Sequence, residues 1–281
     1  MKKFIVAFDG LHFSESALAY SIFFAKQSAA HLVGIFLDDF MRRSYGIVEL
    51  SNYEGTNLDR YIKNQDEKDK EERTENVEAF ERACQNAGIN HSVHRDKNVA
   101  IQELLHESIY SDLLIVSETE TFTRYEESVP ITFLRHLLSD VQCPAVVVPS
   151  KYKPVNKIIL LYDGAPSSVH AVKTFSYLFE SLKSFDIEII TVKGSDDSLH
   201  LPDNKLIKEF IKRHYPRSEY VVIKGQAEGE IIKYLQQQKN NPMVVLGAYR
   251  RSRFSRMFRP SMADYLMQYL KMPLFIAHNK S

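Results

Sequence analysis

Cysteine is scarce in this sequence. Among 281 residues only Cys84 and Cys143 occur, far apart and in no Cys-x-x-Cys pair. Neither a disulfide framework nor a zinc ribbon is available, and both read as buried thiols. Long apolar runs are also missing. The first, residues 4–8, is broken by Asp9 too early for the core of a signal peptide, and no later run is long enough to cross a bilayer. The expected location is therefore the cytoplasm, with no membrane partner. Net charge is absent as well, with 36 basic and 36 acidic residues. At 44% hydrophobic and 26% charged, the chain holds enough apolar material for real cores, which excludes a disordered chain.

The balanced charge hides a division. Residues 1–150 hold 15 basic and 24 acidic residues, a net −9, whereas residues 151–281 hold 21 and 12, a net +9. Such a split serves either a polyanion on the basic half or attraction between the halves. The length fits one large α/β domain or two of ordinary size, because cores much larger than ~150 residues tend to split.

An internal repeat decides for two. Phe4-Ile5-Val6-Ala7-Phe8-Asp9-Gly10, followed by Ser14 and Ala17, matches Ile158-Ile159-Leu160-Leu161-Tyr162-Asp163-Gly164, followed by Ser168 and Ala171, at an offset of 154. Ile101 with Leu113-Leu114-Ile115-Val116 matches Ile231 with Met243-Val244-Val245-Leu246 at an offset of 130, so the first copy carries 24 extra residues between these blocks. Both copies close with an amphipathic helix, a proline (Pro144, Pro273) and an apolar strand. The domains are expected at 1–150 and 151–281.

Short continuous apolar runs suit strands buried on both faces, as in parallel sheets covered by helices. Strands are expected near 3–8, 31–37, 91–95, 112–117 and 145–148, and again near 157–162, 186–192, 219–224, 242–247 and 273–277. Residues 14–26 and 204–213 have helical spacing. The extra residues of the first copy fall roughly at 38–71 and include Phe40, Met41, Tyr45, Tyr53 and Tyr61. The charge run 66–72 that follows reads as the solvated start of a long helix ending near Ala87-Gly88. The aromatics form either a lid or partner surface, or a loop tucked over its own domain.

In an open parallel sheet, ligands sit beyond the carboxyl ends of the strands where the winding reverses. Asp9-Gly10 and Asp163-Gly164 lie at such ends. A carboxylate there accepts from a ribose or base; equally, Asp-Gly after a strand is a common turn, and Ser14 or Ser168 helps begin a helix.

The strand-Asp-Gly-x-x-x-Ser opening of both copies, the 113–116 and 244–247 strands and the terminal helix-Pro-strand resemble the universal stress protein family, specifically its tandem members. The resemblance spans nearly the whole chain. It implies two tandem doubly wound α/β domains, each a five-stranded parallel sheet with helices on both faces, and pairing of the two through their final strands as a pseudo-dimer. In some members it also implies ATP held between the first-strand aspartate and a loop of pattern G-x2-G-x9-G-[ST]. Glycines there let the main chain approach a phosphate where helix donors are free.

The second copy offers Gly247-x2-Arg250-x9-Pro260-Ser261, with two of the three glycines gone. It fills the loop instead with Arg250, Arg251, Arg253, Arg256 and Arg259. Guanidinium groups grip phosphates and carboxylates in paired fashion, so a side-chain clamp replaces the cradle, or these arginines are a basic face paired with the acidic first domain. The first copy shows Ser117-x2-Glu120-x9-Pro130-Ile131, with Glu118, Glu126 and Glu127 nearby. Carboxylates repel phosphate, so the first domain reads as a scaffold. The candidate binding residues are Asp163, Gly164, Gly247, Arg250, Arg251 and Ser261, for ATP or another anionic ligand.

His91-x-x-His94 lies on an expected strand, where residues three apart face opposite sides, so no zinc site is expected. No Ser-His-Asp or Cys-His arrangement is readable, and no catalytic residue is assigned. The resemblance implies a stress-response protein that acts by binding, with no catalysis readable in the sequence; a nucleotide or anionic-metabolite sensor using the second domain is the alternative. A nucleic-acid binder lacks a helix-turn-helix or aromatic RNA platform. A hydrolase lacks an evident general base or metal constellation.

Overall fold

The computed structural model describes residues 1–37, 50, 53, 55, 57–96, 99–122, 128–194, 200–249 and 261–278. Ten strands form one sheet. In the N-terminal half they are β1 (Lys3–Asp9), β2 (His31–Leu37), β3 (His91–Asp96), β4 (Leu113–Ser117) and β5 (Ala145–Val148). In the C-terminal half they are β6 (Lys157–Leu161), β7 (Asp186–Lys193), β8 (Glu219–Lys224), β9 (Pro242–Gly247) and β10 (Leu274–Ala277). Every expected strand is present to within a residue at either end, because each is a short apolar run bounded by polar or turn residues.

The sheet order is β3-β2-β1-β4-β5-β10-β9-β6-β7-β8. Pairing is parallel inside each half and antiparallel only between β5 and β10, where Phe275 lies opposite Val146. Each half is thus doubly wound, with its winding reversed between β1 and β4 and again between β6 and β9. At those two places the loops leave in opposite directions and open a crevice.

Alternation along the strands builds two apolar layers. Phe4, Val6 and Phe8 face one layer, with α1 (Glu15–Ser28), α2 (Leu58–Ala87), α5 (Pro166–Leu178) and α6 (Asn204–His214). Ile5 and Ala7 face the other, with α3 (Ala100–Ile109), α4 (Thr132–Asp140), α7 (Ala227–Gln236) and α8 (Met262–Tyr269). The result is the doubly wound α/β arrangement expected, with helices on both faces.

Local signals set the helix ends. Ser14 caps α1 by accepting the Ala17 N–H at 3.2 Å. The long helix expected in the first copy is α2, closed by Gly88 at φ +67°. It begins earlier than the charge run suggested: Asn57 accepts the Arg60 N–H at 2.9 Å, so residues 58–65 already belong to the helix. Strong side-chain capping at Asn57 outweighs the polar composition of this first part, which buries nothing before Asp69. Of the insertion's aromatics, Tyr53 and Tyr61 lie with ring centroids 4.6 Å apart; Phe40, Met41 and Tyr45 fall outside the described residues.

Both thiols are buried, as expected. His91 and His94 also face opposite ways: His91 meets the edge of Phe80 on α2, and His94 Nδ1 lies 2.6 Å from Glu107 Oε1 on α3. Among the described residues no group of three His, Cys, Asp or Glu is placed to hold a metal, and no helix is long and apolar enough to cross a membrane.

Candidate functional site

At the β6/β9 reversal the structure holds a cavity of about 380 Å³. Its apolar walls come from Leu161, Ile190, Val192 and Leu246 at the strand ends and from Ala227 and Ile231 on α7. Its rim carries Asp163, Glu228, Tyr249 and Ser261. A hollow of this size with a few convergent polar groups is the usual form of a small-molecule site.

The sequence builds the rim locally. After β6 the chain must turn sharply into α5. Gly164 sits at φ +83°, a left-handed backbone, and a Cβ there would stand 2.7 Å from Pro202 Cβ, so two independent constraints ask for glycine. Asp163 Oδ1 accepts the Ala165 N–H at 2.9 Å, which closes the turn, and the exposed Asp163 lines the cavity. Pro166 then starts α5 with φ already set. Ser168 does not cap this helix. It lies inside the first turn and donates its hydroxyl to Ala165 O at 2.8 Å, because the helix starts at Pro166, three residues before the position a Ser168 cap would set.

Gly247 is needed for packing. A Cβ on it would lie 2.4 Å from both the carbonyl carbon and oxygen of Ser167, so the end of β9 touches the backbone of the first turn of α5. Ser167 and Ser168 also line the cavity.

Ser261 also has a structural duty. It is the N-cap of α8: its Oγ accepts the Asp264 N–H at 3.2 Å, and Asp264 Oδ2 accepts the Ser261 N–H at 2.9 Å. Asp264 Oδ1 also accepts the Tyr249 hydroxyl at 2.6 Å, deep in the protein. Burial first, then the neighbouring Asp264 carboxylate, push the Tyr249 hydroxyl well above its ordinary pKa, so it stays a donor at any physiological pH. Tyr249 itself adopts φ +60°, unusual for a bulky side chain. Arg250 and Arg251, the expected clamp, lie outside the described residues, directly after Tyr249 in the chain. Asp163, Gly247 and Ser261 line the same cavity, whereas Gly164 shapes the turn between Asp163 and Ala165 without lining it.

At the equivalent place in the N-terminal half the described residues are packed differently. Asp9 is buried, and its Oδ1 accepts the Leu11 N–H at 2.9 Å. Asn76 from the long helix α2 donates to Gly10 O at 2.9 Å and holds the turn from above. Phe122, after β4, is buried with its ring 4.8 Å from that of Phe133. Glu118 is engaged across the seam between the halves. It is buried and accepts from Lys271 Nζ of the other half at 2.8 Å, because the seam between the halves runs past it. Glu126 and Glu127 fall outside the described residues.

Sequence reasoning missed Tyr249, Asp264 and Glu228. The Ser261-x-x-Asp264 spacing is a capping-box pattern and was readable. Nothing in the sequence marked Glu228 or the partnership of Tyr249 with Asp264.

No protein-family model matches the sequence, and no curated protein matches it. Solved structures do match in shape. A universal stress protein from Archaeoglobus fulgidus DSM 4304 superposes with a TM-score of 0.71 at 13% identity, over 100% of this chain and 97% of that one. A putative universal stress protein from Pseudomonas aeruginosa UCBPP-PA14 gives 0.62 at 12% identity, over 99% and 93%. A functionally unknown protein from Pseudomonas aeruginosa PAO1 gives 0.61 at 11%, over 99% and 92%. The chain therefore has the universal stress protein fold along its whole length.

Proposed function

We propose that this chain is a tandem universal stress protein, with domains at 1–150 and 151–281, that acts in the cytoplasm by binding rather than by turnover. The C-terminal domain holds a small ligand with an apolar, ring-like body and an anionic group, such as a nucleotide; the N-terminal domain is its scaffold and pseudo-dimer partner. The observation that carries this reading is the cavity at the β6/β9 reversal, with apolar walls for a ring and the Asp163 carboxylate on its rim for a ribose-like diol. Glu228 and Asp163 are the charged groups of the described lining. The positive charge an anion requires is assigned to Arg250 and Arg251, which enter the chain right after Tyr249.

Binding without turnover is supported by the state of the obvious nucleophiles. Desolvation pushes both Cys84 and Cys143 up to about 12, so neither offers a thiolate near neutral pH. The Tyr249 hydroxyl is engaged with Asp264.

Thermal unfolding and calorimetry with ATP, adenosine and pyrophosphate test the reading. Saturable ATP binding stronger than that of either fragment, lost in an Arg250→Ala/Arg251→Ala double variant, is the expected result. Equal, unsaturable responses to all three ligands would discard the ligand site and leave a protein-binding scaffold.

A further inference from the structure

We infer that the N-terminal half positions the mouth of the C-terminal cavity by gripping helix α8 at both of its ends. Asp264, in the first turn of α8, is 5% exposed, yet its carboxylate joins the two sides of that mouth. Oδ1 takes the hydroxyl of Tyr249, which follows β9, and Oδ2 takes the N–H of Ser261, which begins α8. Tyr249 and Ser261 both line the cavity. A buried carboxylate with this duty needs a countercharge. It comes from across the seam: Arg135 Nε, on α4 of the N-terminal half, stands 3.5 Å from Asp264 Oδ1.

The other end of α8 is held in the reverse sense. Lys271, two residues past the helix, donates to Glu118 Oε1 at 2.8 Å. Glu118 follows β4, and its side chain is 4% exposed. The two pairs are reciprocal, since each places a buried carboxylate of one half against an exposed cation of the other. The net charges of the halves do not explain this arrangement, because in the Arg135–Asp264 pair the acidic half supplies the cation. Removing either cation takes from a buried carboxylate the countercharge seen among the described residues, and its nearest relief is to move toward water. For Asp264 that movement releases Ser261 and Tyr249 together.

The inference rests on the ligand reading only for the second of two measurements. The full-length chain is compared with Arg135→Gln, Lys271→Gln, the double variant and Arg135→Lys. Hydrogen exchange is followed at the Ser261 and Asp264 amides, and ATP affinity is measured by calorimetry. Exchange at both amides should quicken in Arg135→Gln and in the double variant, ATP should weaken by roughly fivefold or more, and Arg135→Lys should stay close to the parent. Lys271→Gln should act in the same direction from the far end of the helix. Unchanged exchange overturns the inference, and so does faster exchange with unaltered ATP affinity. If the parent chain binds no ATP, the ligand reading fails by itself, and the exchange result still decides whether the N-terminal half holds the mouth in place.

Discussion

The ammonium of Lys2 lies 2.6 Å from the carbonyl oxygen of Leu178 and 2.9 Å from that of Tyr177. These are the last carbonyls of α5, so the second residue of the chain caps a helix in the opposite half. Ser28 adds its hydroxyl to the same Leu178 oxygen at 2.8 Å. A helix C-terminus carries partial negative charge and unpaired acceptors, and a cation placed there answers both. Beside it Phe179 packs on Phe4 and Phe24, with ring centroids 5.9 and 5.4 Å apart. Lys2→Met should lower stability by about 1–2 kcal/mol in urea unfolding, with the loss shared by both halves in one transition. A separate early transition of the C-terminal half alone would contradict this.

Asp9 and Asp163 occupy matching places with opposite exposure, and their substitutions should separate stability from binding. Asp163→Asn, at an exposed rim, should change stability by no more than about 0.5 kcal/mol and weaken ATP-induced stabilisation. Asp9→Asn, buried 2% exposed and holding the β1 turn, should cost roughly 1–3 kcal/mol and leave ATP binding intact. Thermal melts with and without ATP read both quantities from one experiment.

Gly247→Ala should destabilise by roughly 1–3 kcal/mol, because the added carbon would meet the Ser167 backbone and not a side chain able to move aside. Gly229→Ala is the counter-test. It lies in α7 with nothing within 4 Å of a new Cβ, and should stabilise by about 0.4–1 kcal/mol. Equal effects at the two positions would remove packing as the reason for Gly247.

Stability should fall on the alkaline side. Burial raises the Cys84 and Cys143 thiols from 9 to about 12, so the folded chain resists ionisation that the unfolded chain undergoes freely. The stability they contribute is fully present below pH 9 and is lost as pH rises from 9 toward 12. Each thiol should steepen that loss by about 1.4 kcal/mol per pH unit. A Cys84→Ala/Cys143→Ala variant should show a correspondingly flatter alkaline limb in urea titrations at stepped pH, from a lower starting stability because of the lost packing.

The duplication, the ten strands and the crevice at Asp163-Gly164 were legible because they depend on local and periodic properties. Apolar runs, Asp-Gly turns and a 154-residue offset survive in the chain whatever the partners are. Gly164 follows the same rule, since its left-handed φ belongs to the turn itself. The sequence by itself therefore determined which segments form strands and where the crevice opens.

Tertiary structure alone decided what each residue at that crevice does. Gly247 looked like part of a phosphate cradle, and only the approach of β9 to Ser167 shows it filling a packing need. Glu118 looked like a charge set against phosphate, and only the β5–β10 seam gives it Lys271. Asp264 carried no functional signal beyond its capping spacing, yet the fold gathers Tyr249, Ser261 and Arg135 around one carboxylate from 129 residues of chain. Propensity and pattern act over a few neighbours, whereas a buried charge is satisfied by whatever the fold brings within about 3–4 Å, and that is set by sheet order and not by position in the sequence.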